Sequence, residues 1–166
     1  MILTIDIGNT DTMFALFDGK QRLGEWRLAT QAKRTADEYG VWLGHFLQQA
    51  GLEAKKIENA VISCVVPRSL FSINQMVEHL IGKPALVITR QVMEEIGMRV
   101  DTDRPEEVGA DRMINALAAW KCYKQSAIIV DFGTATTFDV VNDKGVYSGG
   151  VIAPGINLSL EALHVA

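Results

Sequence analysis

An apolar run, Ile2-Leu-Thr-Ile5, leads straight into Asp6-Ile-Gly-Asn-Thr-Asp-Thr12, where acids, a glycine and small amide or hydroxyl side chains replace the strand's apolar continuation. Glycine lets the backbone come close to a ligand or take φ > 0, and successive exposed N–H groups in such a turn form a nest for an anion. Asn9, Thr10 and Thr12 add side-chain donors. The carboxylate of Asp6 would repel a bare phosphate, but it can hold a hydrated Mg²⁺ that bridges phosphate oxygens. The chain carries this pattern twice. Sliding it against itself by 125 residues sets Asp6 on Asp131, Gly8 on Gly133, Thr12 on Thr137 and Asp18 on Asp143, and the apolar run Ala127-Ile-Ile-Val130 precedes the second turn. One Asp-x-Gly turn is ordinarily a tight hairpin. Two, at corresponding places in one strand–turn–strand–turn plan, indicate a duplicated unit that can set phosphate donors on both sides of a nucleotide. Neither turn has the spaced Gly-Lys-Ser/Thr of a P-loop or the GxGxxG of a dinucleotide site, which disfavours both of those folds.

A second constellation is Val108-Gly-Ala-Asp-Arg-Met-Ile-Asn115. Asp111 and Asn115 are four apart and share a helix face, while Gly109 and Ala110 leave room for a ligand against the backbone. Asp111 is the residue type that accepts a proton from a substrate hydroxyl, and Arg112 suits a carboxylate or a phosphate. The same residues could instead make a plain helix start, with Asp111 complementing the macrodipole and Arg112 solvated. Third, Tyr147-Ser-Gly-Gly-Val-Ile-Ala-Pro-Gly155 is either a loop lining a cleft or punctuation between a strand and a helix. His45, His79 and His164 have no metal-ligand spacing, and Trp26, Trp42 and Trp120 fit core packing.

The elements that must position these residues follow from period and punctuation. Strands are expected at about 2–6, 12–17 and 22–28, with Asp18-Gly19-Lys20 as a turn. Thr35-Ala-Asp-Glu38 has capping-box spacing, and Tyr39, Trp42, Leu43, Phe46 and Leu47 follow at helical intervals to Gly51. Residues 60–66 read as a buried strand, Pro67 opens a helix that stops at Gly82, 85–88 is a strand, and 106–123 is helical. The order βββαβαβα, with crossover helices between later strands, predicts an α/β ribonuclease-H-like mixed sheet. Residues 1–125 would form the first lobe, and 126–166 the opening strands of a second, incomplete one, so a C-terminal truncation is expected.

A length of 166 residues with 48% hydrophobic and 22% charged residues suits a packed domain and not a disordered chain. The net charge of −4 disfavours a nucleic-acid binder, and Lys33-Arg34 and Lys55-Lys56 read as solvated faces. Cys64 and Cys122 show no CxxC spacing, and no signal-like or membrane-spanning run is present; a cytoplasmic, reducing setting is expected.

DIGNT at 6–10, GADR at 109–112, DFGTATT at 131–137 and GGVIAPG at 149–155 together resemble, in order and spacing, the motifs of the type III pantothenate kinases of the actin-like ATPase superfamily. The resemblance implies ATP-dependent phosphorylation of pantothenate at its 4′-hydroxyl, the first step of coenzyme A synthesis. It also implies a homodimer and a monovalent cation, K⁺ or NH₄⁺. By motif, Asp6, Ile7, Gly8, Asn9, Thr10, Asp11, Thr12 and Met13 would form the first ATP phosphate loop, with Asp6 near Mg²⁺. Gly109, Ala110, Asp111 and Arg112 would contact pantothenate with Asp111 as general base, Asp131 would bind the monovalent cation, and Thr134 would bind ATP. Two departures stand out: Thr102 lies where many members have a substrate-contacting tyrosine, and members continue past the point matching Ala166. The alternatives are a kinase of another small alcohol, a non-catalytic binding homologue or inactive fragment, and, on fold grounds alone, a ribonuclease-H-type nuclease.

Overall fold

The computed structural model of the chain describes residues 1–165. The expected meander is present as β1 (Ile2–Ile7), β2 (Asp11–Asp18) and β3 (Gln21–Ala29), successive strands pairing antiparallel. Gly19 turns the second link at φ +56°, a conformation that favours glycine. Helix α1 (Ala36–Gln49) opens on the expected capping box: the Glu38 N–H donates to the Thr35 hydroxyl, and the Thr35 N–H donates to the Glu38 carboxylate at 2.7 Å. β4 (Asn59–Cys64) lies parallel to β1, and α2 (Pro67–Ile81) begins on its proline and ends at Gly82, φ +75°. β5 (Leu86–Val87) pairs parallel with β4, giving the sheet order β3-β2-β1-β4-β5. That is the ribonuclease-H-like arrangement. Its core joins Leu3, Ile5, Ile7, Phe14 and Leu16 from the sheet to Tyr39, Leu43 and Leu47 of α1 and Ile73 and Val77 of α2.

The stretch from 89 to 101, irregular in the sequence reading, contains α3 (Arg90–Glu95) and β6 (Arg99–Val100). After a 3-10 turn at Pro105–Glu107 come α4 (Ala110–Tyr123), β7 (Ala127–Phe132), β8 (Ala135–Val141), β9 (Val146–Pro154) and α5 (Ile156–Val165). β7, β8 and β9 repeat the antiparallel meander, and β6 joins its β9 edge in parallel, for an order of β6-β9-β8-β7. The chain divides into two compact units, Met1–Ile88 and Thr89 onward. The sequence reading divides it at 125 instead. The difference has a physical cause: β6 hydrogen-bonds to β9, and α4 packs on β7 and β8, so both belong with the strands that follow them.

One face of the second sheet is covered by α4. The other is apolar and exposed, with cross-strand pairs Ile128–Val140, Val130–Phe138 and Phe138–Val151. Among the described residues no helix is long and apolar enough to cross a membrane.

The first unit's core is tight at Leu43, which is 1% exposed. Leu43→Ala is expected to cost about 2–5 kcal/mol through lost burial and a residual cavity, read as a lowered midpoint in urea.

Candidate active site

β1 buries Leu3, Ile5 and Ile7, so strand alternation turns Asp6 to the opposite face, where it is exposed near the strand's C-terminal end. The Gly8 N–H donates to the Asp11 carbonyl at 3.0 Å and closes the link to β2. Gly8 favours a close approach: its φ is not positive, and a Cβ would stand 3.1 Å from the Asp11 carbonyl oxygen, a tight contact. Thr30, just past β3, braces this turn from behind. Its N–H donates to the Thr10 carbonyl at 2.8 Å, its hydroxyl donates to the Gly8 carbonyl at 2.7 Å, and it lies 2.9 Å from the Thr12 hydroxyl. Since Thr30 has one hydroxyl proton and gives it to Gly8, Thr12 is the donor in the bond between the two threonines.

The sequence reading offers the whole stretch from Asp6 to Met13 to a ligand. Within it, Ile7 and Thr12 have fully buried side chains, and Thr12 is engaged with Thr30. Asp11 and Met13 both face Arg27 of β3, at 3.4 Å and 3.5 Å. The exposed side chains of the stretch are those of Asp6, Asn9 and Thr10, with Gly8 half-buried among them.

In the second unit Asp131 takes the equivalent place, next to last in β7, and is exposed. The Gly133 N–H donates to the Ala135 carbonyl at 3.0 Å. This link is one residue shorter than its counterpart: Ile7 pairs with Thr12, whereas Phe132 pairs with Thr136. The structural equivalent of Thr12 is thus Thr136, likewise buried, and not the Thr137 that the 125-residue offset selects. Thr134 lies at the tip. Behind it sits buried Gly155, where a Cβ would collide with the Thr134 carbonyl and stand 2.8 Å from that of Gly133. The final glycine of the Tyr147–Gly155 run is there to let the chain pass this turn.

Gly109 caps α4 and Ala110 begins it, so two small, half-buried residues stand at the helix start. Asp111 is half-buried, and its Oδ1 accepts the Arg112 N–H at 2.8 Å. Arg112 turns inward, where its Nε donates to Asp139 Oδ1 at 2.7 Å. Its Nη2 lies 2.6 Å from the same oxygen but is not aligned for a hydrogen bond, so Nε sets the direction and Nη2 adds charge. Asp139 on β8 is 0% exposed; its Oδ1 also accepts the Tyr147 hydroxyl at 2.6 Å, and its Oδ2 the Thr137 hydroxyl at 3.2 Å. Burial, reinforced by the Asp139 carboxylate, pushes the Tyr147 phenol well above its usual range. Gly150 lies opposite Asp139, and a Cβ there would collide with Arg112 Nη2 and the Phe138 carbonyl and stand 2.6 Å from Asp139 Oδ1. Thr102, just past β6, places its methyl near Gly149 and holds its hydroxyl buried without a hydrogen-bond partner.

Sequence reasoning missed Thr30, Asp139 and the role of Tyr147. Asp139 carries a signal: it sits at an inward position of β8, in step with Thr137 and Val141, where a carboxylate needs a cation. Thr30 carries none, because its partners are 18 and 22 residues away in the chain.

A ribonuclease-H-like sheet, followed by a second sheet that opens on the same meander with an acid two residues ahead of a tight-turn glycine, defines an α/β protein of the actin-like ATPase class. The family model for type III pantothenate kinase matches residues 2–166, and the chain belongs to that family. Among similar curated proteins, the type III pantothenate kinase of Rhodospirillum rubrum is 49% identical over all of this chain and 64% of its own length. That of Acidiphilium cryptum is 51% identical over all of this chain and 62% of its own length. The chain thus spans less than two thirds of the length of these relatives. Of solved structures, an Aquifex aeolicus Ppx/GppA phosphatase shares the fold, with a TM-score of 0.55 at 18% identity over 97% of this chain and 54% of that one.

Removing the Thr30 hydroxyl leaves the Gly8 carbonyl and the Thr12 hydroxyl without a partner. Thr30→Val is expected to cost about 1–3 kcal/mol, with faster hydrogen exchange at the amide of Thr30. Beside the same turn, burial pushes the Cys64 thiol up, and the nearby charge of Asp6 adds to it. A raised pKa means less thiolate at pH 8, so iodoacetamide should modify exposed Cys122 before Cys64; mass spectrometry of the time course reads the order.

Proposed function

We propose that this chain carries the catalytic chemistry of its family: transfer of the γ-phosphoryl group of ATP to the 4′-hydroxyl of pantothenate. The observation that supports it most is the start of α4, where Asp111 stands beside an oriented arginine on a helix opened by Gly109 and Ala110. Asp111 accepts the hydroxyl proton as the oxygen attacks, and the backbone of Gly109 and Ala110 accommodates the substrate. Arg112 supplies a fixed positive charge for an anionic part of the acceptor. The motifs assign Gly8, Asn9 and Thr10 to an ATP phosphate loop, and Thr134 to ATP binding.

Mg²⁺ bound with ATP neutralises charge on the phosphate oxygens. The described residues contain no cluster of three His, Cys, Asp or Glu that could hold a metal. Magnesium at nucleotide sites takes one or two carboxylates, with phosphates and waters completing its shell, and exposed Asp6 fits that requirement. Kinship supports three finer assignments: a monovalent cation, K⁺ or NH₄⁺, at Asp131; a homodimer; and a cytoplasmic setting.

The deciding assay is ADP release from ATP and Mg²⁺, with and without pantothenate and K⁺. Turnover dependent on both is expected. Asp111→Asn should lower the rate by roughly 10²- to 10⁴-fold while ATP binding, read by calorimetry, persists; equal turnover would remove Asp111 as base. Nucleotide binding with no turnover in the unaltered chain would instead identify a binding homologue, and turnover on another small alcohol a different kinase.

A further inference from the structure

We propose that Asp139 is a positioning residue: it fixes Arg112 so that the guanidinium presents its outer nitrogen, Nη1, to an anionic group of the substrate, the carboxylate of pantothenate. The inference rests on Arg112 being a substrate contact. A guanidinium offers two pairs of N–H donors, a side edge made by Nε with one Nη and an end edge made by the two Nη groups. Asp139 occupies the side edge, through Nε at 2.7 Å and Nη2 at 2.6 Å. Nη2 is buried and makes no hydrogen bond, so Nη1, the outer nitrogen of the end edge, is the donor group left for a ligand. Its N–H groups can give a charge-assisted hydrogen bond to a carboxylate oxygen.

The clamp is itself held. Tyr147 and Thr137 donate to the two oxygens of Asp139, the Tyr147 ring lies 5.9 Å from the Arg112 guanidinium carbon, and Gly150 leaves room for the pair. The Arg112 side chain is 14% exposed and Asp139 is 0% exposed, so neither swings freely. A side chain ordered before binding loses little freedom on binding, which raises affinity without any new contact. The Asp111 carboxylate already accepts the backbone N–H of Arg112, so anchoring the substrate anion on Arg112 also sets its distance from the proposed base.

The test compares pantothenate with panthenol, in which an alcohol replaces the carboxylate, by calorimetry on the purified chain. Asp139→Asn should weaken pantothenate by roughly 10- to 100-fold, leave panthenol unchanged, and raise the pantothenate KM with little effect on kcat. Equal losses for both ligands, or none for pantothenate, would overturn the proposal. If Asp139→Asn does not fold, Tyr147→Phe keeps the ring and the ion pair and should give a smaller loss confined to pantothenate; an equal loss for both ligands again overturns it. If the unaltered chain binds neither ligand, the substrate assignment fails by itself. The ¹⁵N-edited signal of the Arg112 Nε–H then decides the clamp: slow exchange in the unaltered chain and fast exchange in the variant support it, and an unchanged signal overturns it.

Discussion

A strand that buries every second residue leaves no choice about where the next one points. In β1 the buried set is Leu3, Ile5 and Ile7, so Asp6 must stand on the other face at the end of the strand, next to the turn that Gly8 closes. In β8 the same rule works the other way. Its α4-facing set includes Thr137, Asp139 and Val141, so a carboxylate is carried inside the second unit. An isolated buried carboxylate is heavily penalised, and a paired, hydrogen-bonded one is tolerated. Arg112 is the cation that meets it, and the front of α4 is tied to the sheet as a result.

Two glycines of the Tyr147–Gly155 run show how closely backbone and side chains are fitted around these points. Gly150 gives the ion pair passage over β9, and Gly155 gives the chain passage behind the second turn. Neither has the positive φ of Gly149, so space is the requirement and not conformation. The same holds for Gly8. The two turns share one backbone device, a glycine N–H closing the link; a threonine hydroxyl braces the first, and Gly155 packs closely behind the second.

Charge placement separates positioning from chemistry. Asp139 is fully inside and accepts hydrogen bonds from Arg112, Tyr147 and Thr137, which suits it to hold a partner in place. Asp111 is half-buried at a helix start behind Gly109 and Ala110.

Local signals settled much of this protein. The capping box at Thr35, the proline at Pro67, the left-handed glycine at Gly82 and the strand periods of β1 to β4 are interactions between near neighbours in the chain, so the sequence alone determined those elements and the first sheet's class. It also determined the paired Asp-x-Gly turns and the family, because motif order survives without knowledge of contacts. Tertiary structure decided the rest. The pairing of β6 with β9 moved the division between units to Ile88–Thr89, the one-residue difference between the hairpins matched Thr136 to Thr12, and Thr30 and Asp139 acquired roles from partners 18 to 27 residues away. Such contacts depend on register and packing, which no local pattern of residue types encodes.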